Sequence, residues 1–220
     1  MFKSIFKAVY RKTIHPIMIK RMTALSDNIP KTDLDDKHVK NTKLLKNRKE
    51  LIKLMPKNGV VAELGVNKGD FSQLILDITR PKKFQLIDFW GSARYNQGIR
   101  KGVEDRFAEQ LNNKSMEINL GLSTDVVNDF GDNYFDWIYI DTAHTYGVTR
   151  DELELYRTKM KDNGIIAGHD YIVGNWNGMV RYGVIESVHE FCAKYDWEIL
   201  YITVELSNNP SFAIRKITSV

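Results

Sequence analysis

Two pairs of an aspartate and a histidine follow two apolar, strand-like runs of this sequence. Asp141 and His144 follow the first run, and His169 and Asp170 follow the second. Carboxylate oxygens are the ligands that a hard divalent cation such as Mg²⁺ prefers. A histidine, whose pKa lies near working pH, suits the role of general base. If the two runs are neighbouring strands, their carboxyl ends bring both pairs to one edge of a sheet.

Each of these side chains also has a structural interpretation that the sequence leaves open. Asp141 could cap the helix that follows it, and Asp170 could form a turn. His144 could be a hydrogen-bonded structural histidine. The functional interpretation is favoured because the residues stand together at two adjacent strand ends.

A second group of residues is typical of a pocket for a nucleoside that carries a charged tail. Around Glu63 the sequence predicts a buried strand, then a turn with Gly65, then a helix that begins after Gly69. Glycine lets the backbone approach a ligand, and the helix start presents free N–H groups. Asp88 ends the next strand-like run, 25 residues after Glu63, where an acid can accept hydrogen bonds from both ribose hydroxyls. Asn67 occupies the place of the middle glycine of a dinucleotide fingerprint, so the turn alone does not identify the ligand.

Alternating strands and helices must position these residues. Strands are predicted near residues 59–65, 83–88, 115–120, 135–141 and 164–169, and helices near 43–55, 70–79, 100–112, 123–130, 146–161 and 182–195. Such alternation is typical of a parallel sheet with helices on both faces. Residues 197–205 and 211–217 are strand-like with no helix between them, which predicts an antiparallel pair. The predicted fold is therefore α/β, a Rossmann-like doubly wound sheet, mostly parallel with an antiparallel last strand.

The basic residues are concentrated at the start of the chain. Six of the 32 Lys and Arg residues, and no acidic residue, lie in residues 1–22, which leaves 26 basic against 28 acidic residues, a net charge of −2. This balance argues against nucleic acid as the partner. Apolar residues recur at helical spacing in residues 1–22, with bases on the other face. They predict a helix that either docks on the main domain or a second subunit, or lies on an anionic membrane.

Two domains follow from this pattern, a basic amphipathic helix with a linker in residues 1–42 and a main domain in residues 43–220. Cys192 is the single cysteine, so neither an internal disulfide nor a cysteine-rich metal cluster is expected. No apolar run approaches the roughly 20 residues that span a bilayer. The predicted location is the cytoplasm, including the inner membrane surface if the basic helix binds lipid; a homo-oligomer is left open.

Several segments resemble class I S-adenosylmethionine-dependent methyltransferases, and together they cover residues 59–217. The two acid–histidine segments are most similar to the macrocin and mycinamicin sugar O-methyltransferases, relatives of the metal-dependent catechol O-methyltransferases. The segments that carry the resemblance are Glu63-Leu64-Gly65 through Gly69, Asp88, Gly121-Leu122-Ser123-Thr124-Asp125, Tyr139 through Tyr146, and Ile166 through Tyr171.

The resemblance implies a role for each group of residues. His144 would be the base, and Trp90 would either cover the adenine or simply pack in the core. A divalent metal, Mg²⁺, would bind at Asp141 and Asp170. His169 stands where the catechol enzymes carry an acid, and a histidine is a poor ligand for Mg²⁺. Either His169 is the third ligand of a different metal, or water and a remote acid complete the shell around Mg²⁺. S-adenosylmethionine would be held by Glu63, Gly65, Gly69, Asp88, Ser123, Thr124 and Asp141.

Two loops could cover the acceptor, residues 91–102 and 171–183. Amides and aromatic rings suit a sugar, and arginines suit a phosphate. The candidate acceptor-binding residues are Arg94, Tyr171, Trp176 and Arg181. The predicted function is metal-assisted O-methylation of a sugar or glycoconjugate. The alternatives are O-methylation of a small phenolic or natural-product scaffold, a nucleotide-dependent oxidoreductase or hydroxylase, and a binding module without catalysis.

Overall fold

A computed structural model describes residues 9–175, 180–206 and 208–218. Its strands are β1 (Lys43–Leu45), β2 (Val60–Leu64), β3 (Lys83–Asp88), β4 (Met116–Leu120), β5 (Phe135–Ile140), β6 (Met160–Gly168), β7 (Gly174–Asn175), β8 (Val180–Arg181), β9 (Trp197–Thr203) and β10 (Phe212–Lys216). Eight of them form one sheet in the order β1-β9-β10-β6-β5-β2-β3-β4, and β7 pairs with β8 separately. Strand β10 runs antiparallel to both of its neighbours, whereas β2, β3, β4, β5 and β6 are parallel.

The helices alternate with the strands along the chain. They are α1 (His15–Asp27), α2 (Asp36–Val39), α3 (Arg48–Leu54), α4 (Asp70–Thr79), α5 (Gln97–Arg106), α6 (Ala108–Asn112), α7 (Ser123–Val126), α8 (Tyr146–Arg157) and α9 (Val184–Tyr195). A π-helical turn, Tyr10–Ile14, precedes α1, and a 3₁₀ turn, Val127–Asp129, follows α7.

The central strands are buried on both faces, as β5 illustrates. Ile138 and Ile140 belong to one hydrophobic cluster, and Trp137 and Tyr139 belong to the other. Successive residues of a strand point to opposite faces, so this alternation divides one strand between two cores. Burying each isoleucine contributes about 1.5–3 kcal/mol relative to leaving it in water.

Helices cover both faces of the sheet. Leu153 of α8 and Val188 of α9 complete the first cluster. Leu51 of α3, Ile75 of α4 and Val103 of α5 complete the second. This arrangement confirms the predicted doubly wound fold with an antiparallel last strand.

The predicted helix over residues 43–55 is wrong in its first part. Lys43–Leu45 is strand β1, which pairs parallel with β9 at the edge of the sheet. Helix α3 begins at Arg48 because the Asn47 side chain caps it, accepting a hydrogen bond from the Glu50 N–H at 3.0 Å. The leucines of residues 43–55 serve two elements, and their spacing alone does not reveal the boundary.

Two further boundaries differ from the prediction. The helix predicted over residues 100–112 begins at Gln97, after the Asn96 cap, and is divided by Phe107 into α5 and α6. The helix predicted over residues 146–161 ends at Arg157, because strand β6 already starts at Met160.

The segment predicted as a linker contains the short helix α2, which packs on the main domain. His38 is buried, and its Nδ1 lies 2.7 Å from the Trp197 carbonyl oxygen. Lys37 forms an ion pair with Asp196 at 2.6 Å. These contacts attach residues 36–39 to the start of β9.

Helix α1 has no buried residue. Ile17 and Ile19 are 69% and 52% exposed, and the neighbouring Lys20 and Arg21 are exposed as well. Apolar and basic side chains are thus both exposed over residues 15–27, and the predicted amphipathic helix stays a prediction. None of the helices in the described ranges has the length and apolar character needed to cross a bilayer.

Candidate active site

A cavity of about 500 Å³ opens at the carboxyl ends of the parallel strands. It lies where β2 has β3 on one side and β5 on the other, the switch point at which open α/β sheets bind ligands. Its volume is typical of small-molecule sites. The lining residues are Gly65, Asn67, Ile87, Asp88, Phe89, Tyr95, Gly121, Leu122, Ser123, Thr124, Asp141, Thr142, Ala143, His144, Val148 and Asp151.

Asp88 fixes the shape of the glycine turn. Its Oδ2 accepts hydrogen bonds from the backbone N–H groups of Val66 and Asn67, each at 2.9 Å. Its Oδ1 accepts one from the Trp90 N–H, also at 2.9 Å. The carboxylate therefore holds the turn in place while it also lines the cavity.

Gly65 allows β2 and β5 to approach at the switch point. Its φ is +88°, and a Cβ atom there would lie 2.1 Å from the Asp141 carbonyl oxygen. Next to it, the Asp141 N–H donates to the Leu64 carbonyl at 2.7 Å. Any side chain at position 65 would separate the glycine turn from Asp141.

Glu63 and Gly69 lie beneath the cavity and do not line it. Glu63 is 1% exposed and accepts a hydrogen bond from the Ser72 hydroxyl. Burial raises the pKa of Glu63 well above its ordinary value. Gly69 starts α4 at a φ of +75°, with the Phe107 ring packed against it.

Of the two roles left open for Trp90, the structure shows packing in the core, so Trp90 does not cover the cavity. It is 1% exposed, and its indole Nε1 donates to the Asn67 carbonyl at 3.0 Å. The preceding Phe89, which is 52% exposed, lines the cavity instead. The sequence shows two adjacent aromatic residues but does not show which of them turns inward.

The far wall of the cavity depends on a residue that the sequence analysis missed. Glu152 of α8 is 0% exposed and accepts hydrogen bonds from the Ser123 hydroxyl and, at 2.9 Å, from the Thr142 hydroxyl. Burial raises the pKa of Glu152 to about 7. The burial of Glu152 could have been predicted from the sequence. Thr149, Glu152 and Tyr156 follow one another at a spacing of three or four residues, which places all three on the buried face of the helix.

The two acid–histidine pairs meet in one cluster, as their positions at neighbouring strand ends predicted. His144 Nε2 lies 3.2 Å from Asp170 Oδ2 and 3.5 Å from Asp141 Oδ1. His169 Nδ1 lies 3.0 Å from Asp170 Oδ1 and 3.7 Å from Asp141 Oδ1. The Asn209 amide donates to Asp170 at 2.7 Å. His144 and Asp141 line the cavity, and His169 and Asp170 support them from behind.

The pKa values of the two histidines shift in opposite directions. Burial lowers the pKa of His144, and the neighbouring aspartates only partly offset this, so the imidazole is neutral at neutral pH. Burial also acts to lower the pKa of His169, but the hydrogen bond to Asp170 and the charge of Asp141 outweigh it and raise that pKa. Burial acts to raise the pKa of Asp170, yet the hydrogen bond from His169 and the two imidazoles lower it. His169 thus holds a proton more readily than His144 does, although both belong to the same cluster.

The donor set does not fit the predicted magnesium site. Over residues 9–175, 180–206 and 208–218, no three His, Cys, Asp or Glu side chains form a group that could hold a metal ion. Asp141 and Asp170 face imidazole nitrogens, which are poor partners for Mg²⁺.

The predicted acceptor-binding residues do not line the cavity as far as they are described. Arg94 lies over the Tyr95 ring, 5.0 Å from its centroid, and it is Tyr95 that reaches the cavity. The Tyr171 hydroxyl is 2.7 Å from His189 Nε2. Trp176 lies outside the described residues.

Arg181 makes several contacts within the protein. Its guanidinium donates to the Ser26 hydroxyl at 3.1 Å and to the Val173 carbonyl at 2.9 Å. It also forms an ion pair with Glu186, and its side chain is 5% exposed. These contacts join the end of α1 to the loop that carries β7 and β8.

Comparisons with known proteins agree with this geometry. A family model described as a methyltransferase domain matches residues 62–171, which is 110 of the 220 residues. The matched segment contains the glycine turn, Asp88, Ser123 and the acid–histidine cluster. No curated protein sequence matches the chain.

Solved structures share the fold at low sequence identity. The pyocyanin biosynthetic protein PhzM has a TM-score of 0.57 at 10% identity, over 77% of this chain and 54% of its own. A putative rRNA-methylase from Clostridium thermocellum has a TM-score of 0.60 at 12% identity, over 80% of this chain and 99% of its own. A putative type 11 methyltransferase from Sulfolobus solfataricus has a TM-score of 0.53 at 15% identity, over 74% and 86%. The chain thus spans about half the length of PhzM.

Proposed function

This chain belongs to the methyltransferase domain family. On that premise we propose that it is a class I S-adenosylmethionine-dependent methyltransferase that methylates a hydroxyl of a sugar or glycoconjugate. The observation that carries the proposal is a neutral imidazole, His144, in the wall of the same cavity as Asp88 and Ser123. A neutral imidazole can accept the proton that a hydroxyl must lose when its oxygen is methylated.

The residues around the cavity fit S-adenosylmethionine. Asp88 offers carboxylate oxygens to the ribose hydroxyls, and Ser123 and Thr124 bound the adenine side. Gly65 and Asp141 bound the opposite end, where the backbone is closest. When bound there, S-adenosylmethionine supplies a methyl group that its sulfonium already activates.

His144 has the hydrogen-bonding environment of an oriented base. Nε2 faces the carboxylates of Asp170 and Asp141, so the proton of the neutral ring belongs on Nε2 and the lone pair on Nδ1. Nδ1 takes the acceptor's proton as the oxygen gains the methyl group. Asp170 and Asp141 act to raise the pKa of His144, but burial, together with the neighbouring His169, lowers it and prevails.

The lining residues support a polar acceptor. Asn67, Tyr95 and Asp151 contribute amide, hydroxyl and carboxylate groups to the wall, which suit the hydroxyls of a sugar ring. Phe89 adds an exposed aromatic face, and this observation favours a phenolic scaffold as the second candidate. Assays with isotopically labelled S-adenosylmethionine against glycans and catechols distinguish the two. Methylation of catechols alone would contradict the sugar assignment.

Metal assistance, which the sequence resemblance implies, has no support from the donor set. We expect turnover to survive extensive treatment with a chelator, because the proton is accepted by His144. The test is the rate before and after chelation, with Mg²⁺ added back. A rate that is lost and then restored by Mg²⁺ would favour the metal-assisted mechanism instead.

An anionic membrane surface is the macromolecular partner that we propose for residues 9–27, which comprise the π-helical turn and α1. Arg11, Lys12, Lys20 and Arg21 are all exposed. Ile17 and other apolar residues of the same segment are exposed beside them. Bases bind anionic headgroups, and apolar side chains enter the interface. A second copy of the chain is the alternative partner.

A further inference from the structure

A polar link that no other part of the site uses lies directly behind the cavity wall. Glu152 bonds through one carboxylate oxygen to the Ser123 hydroxyl and through the other to the Thr142 hydroxyl. Ser123 lies at the start of α7, and Thr142 immediately follows Asp141. Both partners line the cavity, whereas Glu152 is 0% exposed.

We propose that Glu152 is a positioning residue that ties the adenine side of the cofactor pocket to the segment bearing Asp141 and His144. Its carboxylate holds Ser123 and Thr142 in one arrangement, so the two ends of the cavity keep a fixed spacing. This inference rests on the proposed use of the cavity for S-adenosylmethionine. It does not depend on which hydroxyl is methylated.

The link is strongest when both oxygens are acceptors, because both hydroxyls then donate to a charged group. A carboxylate accepts from two hydroxyl donors at once, whereas a protonated acid or an amide replaces one acceptor with a donor. The Tyr156 hydroxyl bonds to the Ser123 carbonyl at 3.2 Å and stabilises the same corner. The loss of one acceptor therefore loosens either Ser123 or Thr142 without removing a side chain from the core.

The surroundings of Glu152 place its ionisation near neutrality. Burial is the main cause of its raised pKa of about 7. The hydrogen bonds from the two hydroxyls lower this pKa, and the charge of Asp151 on the same helix raises it further. The other titratable neighbour is Tyr156, also of α8. The groups that face Glu152 from α7 and from the segment after β5 are the hydroxyls of Ser123 and Thr142. The carboxylate form, and with it the double link, is lost as the pH falls through about 7.

The test is calorimetric titration of S-adenosylmethionine into Glu152→Gln between pH 5.5 and 8.5. At pH 8 we expect affinity to fall about tenfold, the effect of losing one hydrogen bond to a charged group. Wild-type affinity should weaken as the pH falls through 7, and the variant should lack that dependence. The matched control is Glu154→Gln, on the same helix but bonded to Lys194 and Tyr195, which should keep wild-type behaviour.

Thr142→Val provides a second route to the same link. It removes one hydroxyl donor at the cavity wall and should weaken binding of S-adenosylmethionine by a similar factor. The double variant with Glu152→Gln should lose little more affinity than either single variant, because both changes break the same link. If Glu152→Gln does not fold, Thr142→Val alone carries the test. If both variants bind S-adenosylmethionine with the affinity and the pH dependence of the wild type, the proposal is overturned. These titrations contain no acceptor, so failure of the proposed methylation would appear separately, as absent turnover with intact binding.

Discussion

At the scale of single residues, two histidines share two aspartates, yet their pKa values shift in opposite directions. His144 is half-buried at the cavity wall and neutral, and His169 is buried behind it and paired with Asp170. The difference follows from position, because the His169 ring contacts Asp170 at 3.0 Å and receives the larger electrostatic support. His144 is thus free to accept a proton, while the His169 ring is held against Asp170.

Replacing His144 with alanine should remove the base without disturbing the cofactor end. We expect turnover to fall about 10²–10⁴-fold, the usual contribution of a general base. Affinity for S-adenosylmethionine should change little, because Asp88 and Ser123 are untouched. The matched control is His189→Ala, whose ring bonds to the Tyr171 hydroxyl away from the cavity. Equal turnover in the two variants would remove His144 from the mechanism.

The pH dependence of turnover should report the same imidazole. Burial lowers the pKa of His144, so its neutral form persists below the ordinary histidine range and is lost only at more acidic pH. Turnover should therefore fall as the pH drops through that lowered pKa, and not at pH values above about 6.5. A profile of turnover against pH at saturating cofactor checks this. A midpoint above the ordinary histidine range would contradict it.

At the scale of elements, the cavity exists because β2 and β5 touch where their strands end. Gly65 has room for no side chain beside the Asp141 carbonyl. Asp88, at the end of β3, then holds the turn from the other side through Val66 and Asn67. Three neighbouring strands thus position one loop.

Gly65→Ala should destabilise the protein and impair cofactor binding together. The new Cβ would lie 2.1 Å from a backbone oxygen at a φ of +88°, so we expect at least about 1–3 kcal/mol of destabilisation. The control is Gly102→Ala within α5, where no atom lies within 4 Å of the added Cβ and about 0.5–1 kcal/mol of stabilisation is expected. Thermal and urea unfolding measure both. Equal stability of the two variants would show that the approach of β2 and β5 is not tight.

Elements with a clear hydrophobic pattern could be predicted from the sequence. Prediction failed where one run of residues suits both a strand and a helix. The central strands and the meeting of His144 with Asp170 followed from apolar runs that end in polar residues. The boundary between β1 and α3 did not, because the same leucines suit a strand and a helix. Side-chain direction was also out of reach, as the inward Trp90 and the internally bonded Arg181 show. Both depend on contacts between residues far apart in the chain.

At the scale of the whole molecule, a mildly acidic domain is attached to a basic N-terminal segment. Helix α1 meets the domain through Ser26 and Arg181, at 3.1 Å, and exposes Ile17 and Ile19. An acidic domain that carries a basic, apolar extension is suited to work beside an anionic surface. A lipid-linked glycan would present its hydroxyl at that surface.

Binding to vesicles tests this arrangement. Neutralising Arg11, Lys12, Lys20 and Arg21 to serine should reduce sedimentation with phosphatidylserine vesicles tenfold or more, since each base contributes about 1 kcal/mol. The control neutralises four exposed lysines of the main domain, Lys46, Lys57, Lys68 and Lys82. Equal recovery of both variants excludes the membrane partner, and a concentration-dependent change in mass would point to a second copy instead.

The structure of the protein crystallised with S-adenosylhomocysteine tests the central claim most directly. We expect the ribose at the Asp88 carboxylate, the adenine beside Ser123 and the sulfur at the end where Gly65 meets Asp141, within reach of a hydroxyl held by His144. Density for the nucleoside at any other place, or a cavity filled by neighbouring side chains in the presence of saturating ligand, would contradict the account.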